Sequence, residues 1–360
     1  MKKLLIITNH SYMLWRFRKE LVLRLMEEYS VVIATPFVGH EDDFKALGVK
    51  CICTDFDRRS INPIKDARLL RTYKRLIKEE KPDYVITYSI KPNIYGAMAA
   101  RAAGVPFSVN VQGLGTAFQK KGVRRIVTLL YKRALKGVKT VFFENEENAR
   151  LFRELRIVGK EKQTVLKGAG VNLSEYPVCP YPENDKVRFL YLGRIMREKG
   201  IDELFAAAEA LRERLGNGFV LDLVGFFEDE YKERVEELCQ KGIAEFHGFK
   251  TDPRPYYAAA DVVVLASWHE GMSNVLLEAA ACGRPVITCD IPGCREAVDD
   301  GVSGWLCQKQ DTESLLEAMS LAARTSGEER ARMGEAARRK IEREFSRTDV
   351  VESTVKALFD

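Results

Sequence analysis

One stretch, residues 268–285 (WHEGMSNVLLEAAACGRP), limits the possible fold of this chain more than any other. Residues 261–265 before it and 285–288 after it are rich in β-branched apolar side chains, as is typical of strands buried on both faces. Between them, Asn274–Ala281 has the composition of a helix, and Ser273 is a good N-cap. The order strand, loop, helix, strand predicts a parallel sheet covered by helices.

Two carboxylates lie eight residues apart in this stretch. Glu270 is in the loop, and Glu278 is about one turn into the helix. The start of the helix also offers free backbone N–H groups, which bind anions. The two carboxylates and these N–H groups together would suit the binding of a phosphorylated polyol. The alternative is that Glu270 only offsets the helix dipole and that Glu278 lies on a solvated face.

Length and charge indicate two domains with different partners. A chain of 360 residues exceeds the usual size of one domain. Residues 1–170 contain 33 Lys and Arg against 17 Asp and Glu, whereas residues 171–360 contain 24 against 35. We therefore expect the basic half to face an anionic partner, either nucleic acid or the cytoplasmic membrane surface.

Several classes of protein are disfavoured. No apolar run reaches the roughly 20 residues of a membrane span, and residues 1–8 are expected to form a strand rather than a signal peptide. The eight Cys show no paired metal spacing and are interpreted as reduced core residues. Asp55 and Asp57 match a short metal motif but are interpreted as a solvated turn, so no metal is predicted. The glycine motifs of nicotinamide, flavin and P-loop sites are missing, so no cofactor is predicted.

Both halves alternate strand and helix patterns, which predicts one Rossmann-like unit in each. Residues 167–172 and 176–182 are rich in Gly and Pro and are expected to form the linker. The predicted domains are therefore 1–170, 171–345 and a final helix in 346–360 that packs toward the first domain. In the first half, predicted strands cover 4–8, 31–35, 50–53, 84–87, 107–111 and 140–143; in the second they cover 188–192, 220–224, 244–246, 262–265 and 286–289.

Ligands of such sheets bind at the carboxyl ends of the strands. In the first half these ends carry Asn9, His10, Lys91 and Gln112. In the second half, Gly193 and Arg194 end a strand and Lys199 opens the next helix, a set that could neutralise a diphosphate. Residues 246–249 (FHGF), which include Phe249, end another strand of the same sheet and could hold a flat base by backbone contacts.

The helix after the first strand mixes Trp15 and Phe17 with Arg16 and Arg18. This mixture suits an anionic membrane surface, but it equally fits an ordinary amphipathic helix whose aromatic side chains enter the core. A second basic stretch, residues 120–125 with four later Lys and Arg up to position 139, supports an anionic partner. It could also bind RNA, although no nucleic-acid-binding signature is present.

Three motifs together resemble the group-one retaining glycosyltransferases. They are E-x7-E at Glu270 and Glu278, G-R-x4-K-G from Gly193 to Gly200, and residues 168–172 (GAGVN) with Tyr176. The resemblance covers nearly the whole chain. It implies the GT-B fold, in which two Rossmann-like domains face each other across a cleft, and an enzyme that needs neither a metal nor a protein nucleophile.

The resemblance also implies roles for individual residues. Arg194 and Lys199 would bind the donor diphosphate, Glu278 the ribose, and Glu270 would approach the transferred sugar as a catalytic residue together with the two cations. The donor site would be completed by Gly193, Phe249, Gly271, Met272, Ser273, Asn274 and Val275, of which the last three contribute backbone N–H groups.

The first half is similar to a bacterial subgroup that extends undecaprenyl-diphosphate-linked sugars for capsule, O-antigen or N-glycan precursors. This similarity implies a UDP-sugar donor, a polyprenyl-diphosphate-linked saccharide acceptor, no nucleic acid, and a peripheral position on the cytoplasmic face of the inner membrane. The expected acceptor residues are Asn9, His10, Arg16, Arg18, Lys91, Asn93 and Gln112. The chain departs from the family pattern here: it lacks the Gly-Gly loop after the first strand and the family His near position 112. A 2-epimerase and a non-catalytic lipid or nucleic-acid binder on the same fold remain alternatives.

Overall fold

The computed structural model describes residues 1–54, 62–115, 118 and 121–359. These residues form two compact units, divided between Ala169 and Gly170, and the segment from Arg347 onward belongs to the first unit. Asp55 and Asp57 lie outside the described residues. Among the helices of the described part, none is both long and apolar enough to cross a bilayer.

The described part of the first unit contains one parallel sheet of seven strands in the order β3-β2-β1-β4-β5-β6-β7. The strands are β1 (Lys2–Ile7), β2 (Tyr29–Thr35), β3 (Lys50–Cys53), β4 (Tyr84–Tyr88), β5 (Phe107–Val111), β6 (Val141–Phe143) and β7 (Gln163–Val165). The helices are α1 (Ser11–Met26), α2 (Glu41–Ala46), α3 (Pro63–Glu80), α4 (Ala97–Ala102), α5 (Lys121–Ala134) and α6 (Glu146–Glu154), and a π-helical turn, Pro92–Gly96, precedes α4.

The second unit is built around a six-stranded parallel sheet in the order β10-β9-β8-β11-β12-β13. Its strands are β8 (Val187–Leu192), β9 (Phe219–Val224), β10 (Ala244–Gly248), β11 (Val262–Leu265), β12 (Val286–Cys289) and β13 (Gly304–Cys307). Its helices are α7 (Ile201–Leu215), α8 (Lys232–Gln240), α9 (Arg254–Ala259), α10 (Asn274–Ala281), α11 (Thr312–Arg324) and α12 (Gly327–Glu344). The last helix, α13 (Arg347–Phe359), packs on α1 of the first unit.

The strands are apolar because helices cover both faces of each sheet. Every residue of β4 and of β11 is buried, as the unbroken β-branched and aromatic runs predict. The predicted α/β class with two Rossmann-like units is therefore confirmed. Strand order reverses between β1 and β4 and between β8 and β11, and ligand sites lie at the carboxyl ends of such strand pairs.

Candidate functional site

Two loops of the second unit, one after β8 and one after β11, are in direct contact with each other. The Trp268 N–H donates to the Glu198 carbonyl at 3.0 Å. Gly200 has φ +70°, and a Cβ at this position would lie 2.0 Å from the Ala266 carbonyl oxygen. Only glycine permits this close approach, so the Gly of the K-G pair brings the lysine loop against the loop of Glu270.

Lys199 and Glu270 form an ion pair where these loops meet. The Lys199 Nζ lies 2.5 Å from Glu270 Oε1, and the Ser267 hydroxyl donates to the same oxygen at 2.8 Å. Burial acts to raise the pKa of Glu270, but the charge and hydrogen bond of Lys199 outweigh it and hold the pKa below its usual value. The carboxylate is therefore ionised at neutral pH and is fixed in place from two sides.

Arg194, the other predicted diphosphate ligand, also contacts a carboxylate. Its Nη1 lies 2.6 Å from Glu228 Oε2, and its carbonyl accepts a hydrogen bond from the Tyr191 hydroxyl at 2.6 Å. The Arg194 side chain is nearly half exposed, whereas that of Glu228 is largely buried. Glu228 was not predicted from the sequence, because an acidic residue in the acidic loop after β9 carries no spacing signal.

The loop and first turn of α10 are held from within the unit. Ser273 is the N-cap, and its own N–H donates to the Gly293 carbonyl at 2.8 Å. Gly271 lies against Gly293 so closely that a Cβ on Gly293 would be 2.4 Å from the Gly271 carbonyl oxygen. Met272 is buried in the core. Because the Ser273 N–H already donates to Gly293, the predicted donor diphosphate would accept hydrogen bonds from the backbone N–H groups that follow Ser273.

Those next amides belong to Asn274 and Val275, which begin α10 and have no partner within the helix. Both residues are half-buried, and Val275 packs against the core of the unit. The Asn274 Oδ1 is buried and accepts no hydrogen bond from the described residues. A buried acceptor without a donor is costly, so this oxygen is a candidate for contact with a ligand hydroxyl.

Glu278 differs from Glu270 in its surroundings. It is 4% exposed, and its Oε2 accepts a hydrogen bond from the Tyr257 hydroxyl at 3.0 Å. Burial and the neighbouring Glu278 raise the pKa of Tyr257 well above its ordinary value, so the tyrosine remains a donor. The two carboxylates of the E-x7-E motif thus have different partners, a cation for one and a neutral hydroxyl for the other.

Two exposed aromatic residues follow the ends of the neighbouring strands β9 and β10. Phe249 and Phe226 are about half exposed, and their ring centroids lie 6.0 Å apart in an edge-to-face arrangement. Phe249 was predicted as a contact for a base, and Phe226 was not. The signal that was missed is Gly225-Phe226 directly after β9, which parallels Gly248-Phe249 after β10.

The first unit has an open cavity of about 230 Å³ at the carboxyl ends of β1, β4 and β5. Ser89 has φ +73°, a strained conformation for a residue with a side chain, and its hydroxyl donates to Asn9 Oδ1 at 2.7 Å. The cavity brings together four predicted acceptor residues with three others, and its lining is Asn9, Ser89, Ile90, Lys91, Asn93, Gln112 and Gly113.

Side chains around this cavity are anchored by neighbours in the same unit. The Lys91 Nζ lies 3.0 Å from Asp66 Oδ1, and the Gln112 Nε2 lies 3.2 Å from the Met13 sulfur. Asn93 is buried and donates to a backbone carbonyl of β5 at 2.7 Å. Asn93 therefore shapes the cavity wall, while Lys91 supplies its positive charge.

Other predicted acceptor residues lie elsewhere. Arg18 is 4% exposed, forms a 2.8 Å ion pair with Glu144, and donates to the Gly168 carbonyl. This placement does not fit the predicted contact of Arg18 with a membrane or an acceptor diphosphate. The Arg16 carbonyl accepts a hydrogen bond from Arg347 of α13.

The aromatic residues of α1 pack within the unit. Trp15 stacks on His40 at 5.3 Å and meets Phe44 edge-on at 5.1 Å. His10 contacts Tyr12 edge-on. Of the two interpretations of this helix, the structure favours packing over membrane contact.

One group in the second unit has the residue types of a metal site. Ligand atoms of Asp222, Glu245 and His247 all lie within 4.8 Å of one another. Arg188, however, donates to Asp222 at 2.7 Å and to Glu245 at 2.8 Å. Its guanidinium neutralises the carboxylates and would repel a cation, so the group is interpreted as an ion-pair network.

Comparison with known proteins gives two family matches. Residues 186–324 match the model described as glycosyl transferases group 1, and residues 15–168 match a glycosyl transferase 4-like domain. A fold match comes from the crystal structure of Anabaena Alr3699/HepE in complex with UDP and glucose, with a TM-score of 0.78, 17% identity and coverage of 99% of both chains.

Two relatives align over most of their length. One is the N,N'-diacetylbacillosaminyl-diphospho-undecaprenol alpha-1,3-N-acetylgalactosaminyltransferase of Campylobacter jejuni, 27% identical over 86% of each chain. The other is the UDP-Gal:alpha-D-GlcNAc-diphosphoundecaprenol alpha-1,3-galactosyltransferase of Escherichia coli, 30% identical over 78% of this chain and 75% of the relative.

Proposed function

Because the chain belongs to the group 1 glycosyltransferases, we propose that it moves a hexose or an N-acetylhexosamine, with retention, from a UDP-sugar to a polyprenyl-diphosphate-linked saccharide. The names of both relatives support this acceptor class, and the name of the Escherichia coli enzyme supports a UDP-sugar donor. The observation that carries the proposal is the placement of Arg194, Lys199 and Glu270 on two joined loops at adjacent strand ends.

In this proposal the second unit binds the donor. Arg194 and Lys199 face the diphosphate, and Glu270 orients Lys199 through their ion pair. The acceptor hydroxyl oxygen bonds to the anomeric carbon as the bond from that carbon to the UDP oxygen breaks. The proton of the hydroxyl passes to the departing phosphate, so UDP and a lengthened saccharide are the products. Positive charge at the departing phosphate stabilises the transition state.

The acceptor is assigned to the cavity of the first unit. Asn9 and Gln112 offer hydrogen bonds to saccharide hydroxyls, and Lys91 offers a positive charge for a phosphate. A lipid-linked acceptor places the enzyme at a membrane surface, and the positive charge of residues 1–170 supports an anionic leaflet, which we assign to the cytoplasmic face of the inner membrane.

The test is transfer to a short-chain polyprenyl-diphosphate saccharide from a panel of UDP-sugars, followed by mass and by the anomeric configuration of the product. We expect one donor to give UDP and an acceptor one sugar heavier, with retained configuration. A changed UDP-sugar formed without acceptor would instead indicate an epimerase. Release of no UDP in the presence of acceptor would contradict the proposal.

The donor site is tested separately by UDP binding. Arg194→Ala removes a charged hydrogen bond of about 1.5–3 kcal/mol, so UDP should bind about ten to a hundred times more weakly. Arg197→Ala is the matched control, because Arg197 lies on the same loop and its side chain is 70% exposed. Equal UDP affinity of the Arg194→Ala variant and the wild type would exclude this donor site.

A further inference from the structure

Helix α5 of the first unit has one face in the core and an opposite face in solvent. Val127, Tyr131 and Ala134 are buried. Ile126 and Leu129, on the other side, are 56% and 68% exposed. Large apolar side chains are rarely this exposed in neighbouring positions of a helix unless the surface meets another apolar phase or a partner.

The same solvent face is strongly basic. The sequence of α5 contains five Lys and Arg and no Asp or Glu. At 100° per residue, Arg125, Leu129, Arg133 and Ile126 lie in that order within an arc of about 100° on the exposed side, so basic and apolar side chains alternate, and both arginines are exposed. Apolar side chains bordered by positive charge are complementary to an anionic lipid surface, where the charges meet headgroups and the apolar groups enter the acyl boundary.

The position of α5 links this face to the acceptor cavity. The helix packs against the π-helical turn that contains Asn93, and its buried Tyr131 shares a hydrogen bond with the Asn93 side chain. Asn93 also lines the cavity. The helix whose outer face would bind a membrane therefore contacts, with its inner face, the turn that forms part of the cavity wall.

Helix α1, the membrane candidate from the sequence, lacks these properties. Its Arg24 is paired with Glu28 at 2.9 Å, and its Glu20 is paired with Arg347 of α13, which packs on α1. Cations that are already paired with carboxylates attract an anionic surface weakly. Of these two helices, α5 is the better match to an anionic lipid surface.

We propose that the solvent face of α5, formed by Arg125, Ile126, Leu129 and Arg133, docks the protein on an anionic lipid bilayer. This inference rests on the proposed function for its membrane partner and names the surface involved. RNA would also be attracted by the arginines, but it would gain nothing from Ile126 and Leu129, so the apolar pair distinguishes the two ligands.

The experiment is co-sedimentation of the full chain with phosphatidylcholine vesicles with and without phosphatidylglycerol. Arg125→Gln with Arg133→Gln should weaken binding to the anionic vesicles about thirty-fold, since each basic residue near such a surface contributes about a fivefold effect. Ile126→Gln with Leu129→Gln should weaken it at least tenfold. All four sites are exposed, so circular dichroism should be unchanged.

Matched controls come from the second unit. Leu321→Gln replaces a leucine of α11 that is 55% exposed, and Lys232→Gln with Lys250→Gln removes two exposed charges; both should leave vesicle binding unchanged. Unchanged binding of the α5 variants, or equal losses in the controls, would overturn the proposal. So would RNA binding that depends on the arginines while vesicle binding is absent.

The failure of this inference is separable from that of the proposed function. With a short-chain acceptor in detergent, the α5 variants should release UDP at the rate of the wild type, because no bilayer is involved. If the wild type binds vesicles through α5 but transfers no sugar, the docking surface stands and the proposed reaction fails. If the wild type transfers sugar but α5 is dispensable for vesicle binding, the proposed reaction stands and the docking surface fails.

Discussion

Replacement of Lys199 by Met should reverse the pH dependence that Glu270 gives to the stability of the second unit. Both side chains are at least four-fifths buried, and Lys199 is what lowers the pKa of Glu270. In the wild type the pair therefore stabilises the fold above the ordinary carboxyl pKa, and this contribution is lost as pH falls. In Lys199→Met, burial is left to raise the pKa, so the penalty grows as pH rises.

The size of that penalty is limited by protonation. A buried carboxylate that loses its cation takes up a proton instead of staying charged. For a carboxyl group with an ordinary pKa of about 4.3, protonation costs about 3.7 kcal/mol at pH 7 and about 1 kcal/mol at pH 5. We therefore expect Lys199→Met to lose about 3 kcal/mol of unfolding free energy at pH 7, in line with the loss of one partner of a buried pair. At pH 5 the loss should be about 1 kcal/mol from this source.

The assay is urea unfolding at pH 5 and pH 7, followed by tryptophan fluorescence. A Trp15→Phe background leaves Trp268 and Trp305, both in the second unit, as the reporters. Adding Glu270→Gln to Lys199→Met should recover at least 1 kcal/mol at pH 7, because no charge remains to be buried. If Lys199→Met has the pH slope of the wild type, or if the double variant recovers nothing, our explanation of the pair is wrong.

Three further changes test other parts of the fold. Gly200→Ala should cost at least 3 kcal/mol of unfolding free energy, because its Cβ would overlap a backbone carbonyl; Gly104→Ala, at the same φ of +70° with open space around it, should cost only about 1–2 kcal/mol. Arg284→Met should cost at least 3 kcal/mol in urea unfolding, since the buried guanidinium donates to five backbone carbonyls. Glu80 has a lowered pKa, chiefly because Lys50 donates to it, so wild-type stability should fall as pH drops below about 4.5. Glu80→Gln should make that fall smaller in acid-unfolding curves, because other carboxylates such as Glu270 still contribute to it, and an unchanged curve would refute the assignment.

The sequence predicted the central strands and two of the four edge strands, β3 and β10, but missed the other two. Central strands such as β4 and β11 are continuous apolar runs and were identified. The edge strands β7 and β13 were not, because a three-residue strand (Gln-Thr-Val) and a strand that begins with Gly carry almost no pattern. Both are completed by pairing with a neighbouring strand, which is a tertiary effect.

The burial of Arg18 was missed although a signal existed. Leu14, Arg18, Leu21 and Leu25 follow the i, i+4, i+7, i+11 spacing of one helix face, so the arginine lies in the apolar stripe of α1. What the sequence could not supply is its partner, because Glu144 is 126 residues away. Without a visible partner, an arginine beside aromatic residues was interpreted as a surface residue.

The E-x7-E spacing also predicts less than it first suggests. Eight residues that run from a loop into a helix bring two carboxylates to one region, but they do not determine the charge around either. Glu270 meets Lys199 because Gly200 lets the β8 loop close against the β11 loop, whereas Glu278, in α10, accepts a hydrogen bond from Tyr257 of α9. One carboxylate is thus coupled to a cation that a diphosphate would also attract, and the other is coupled to a neutral hydroxyl. Binding of an anion should therefore perturb the ionisation of Glu270, since the ligand would compete for the cation that lowers its pKa.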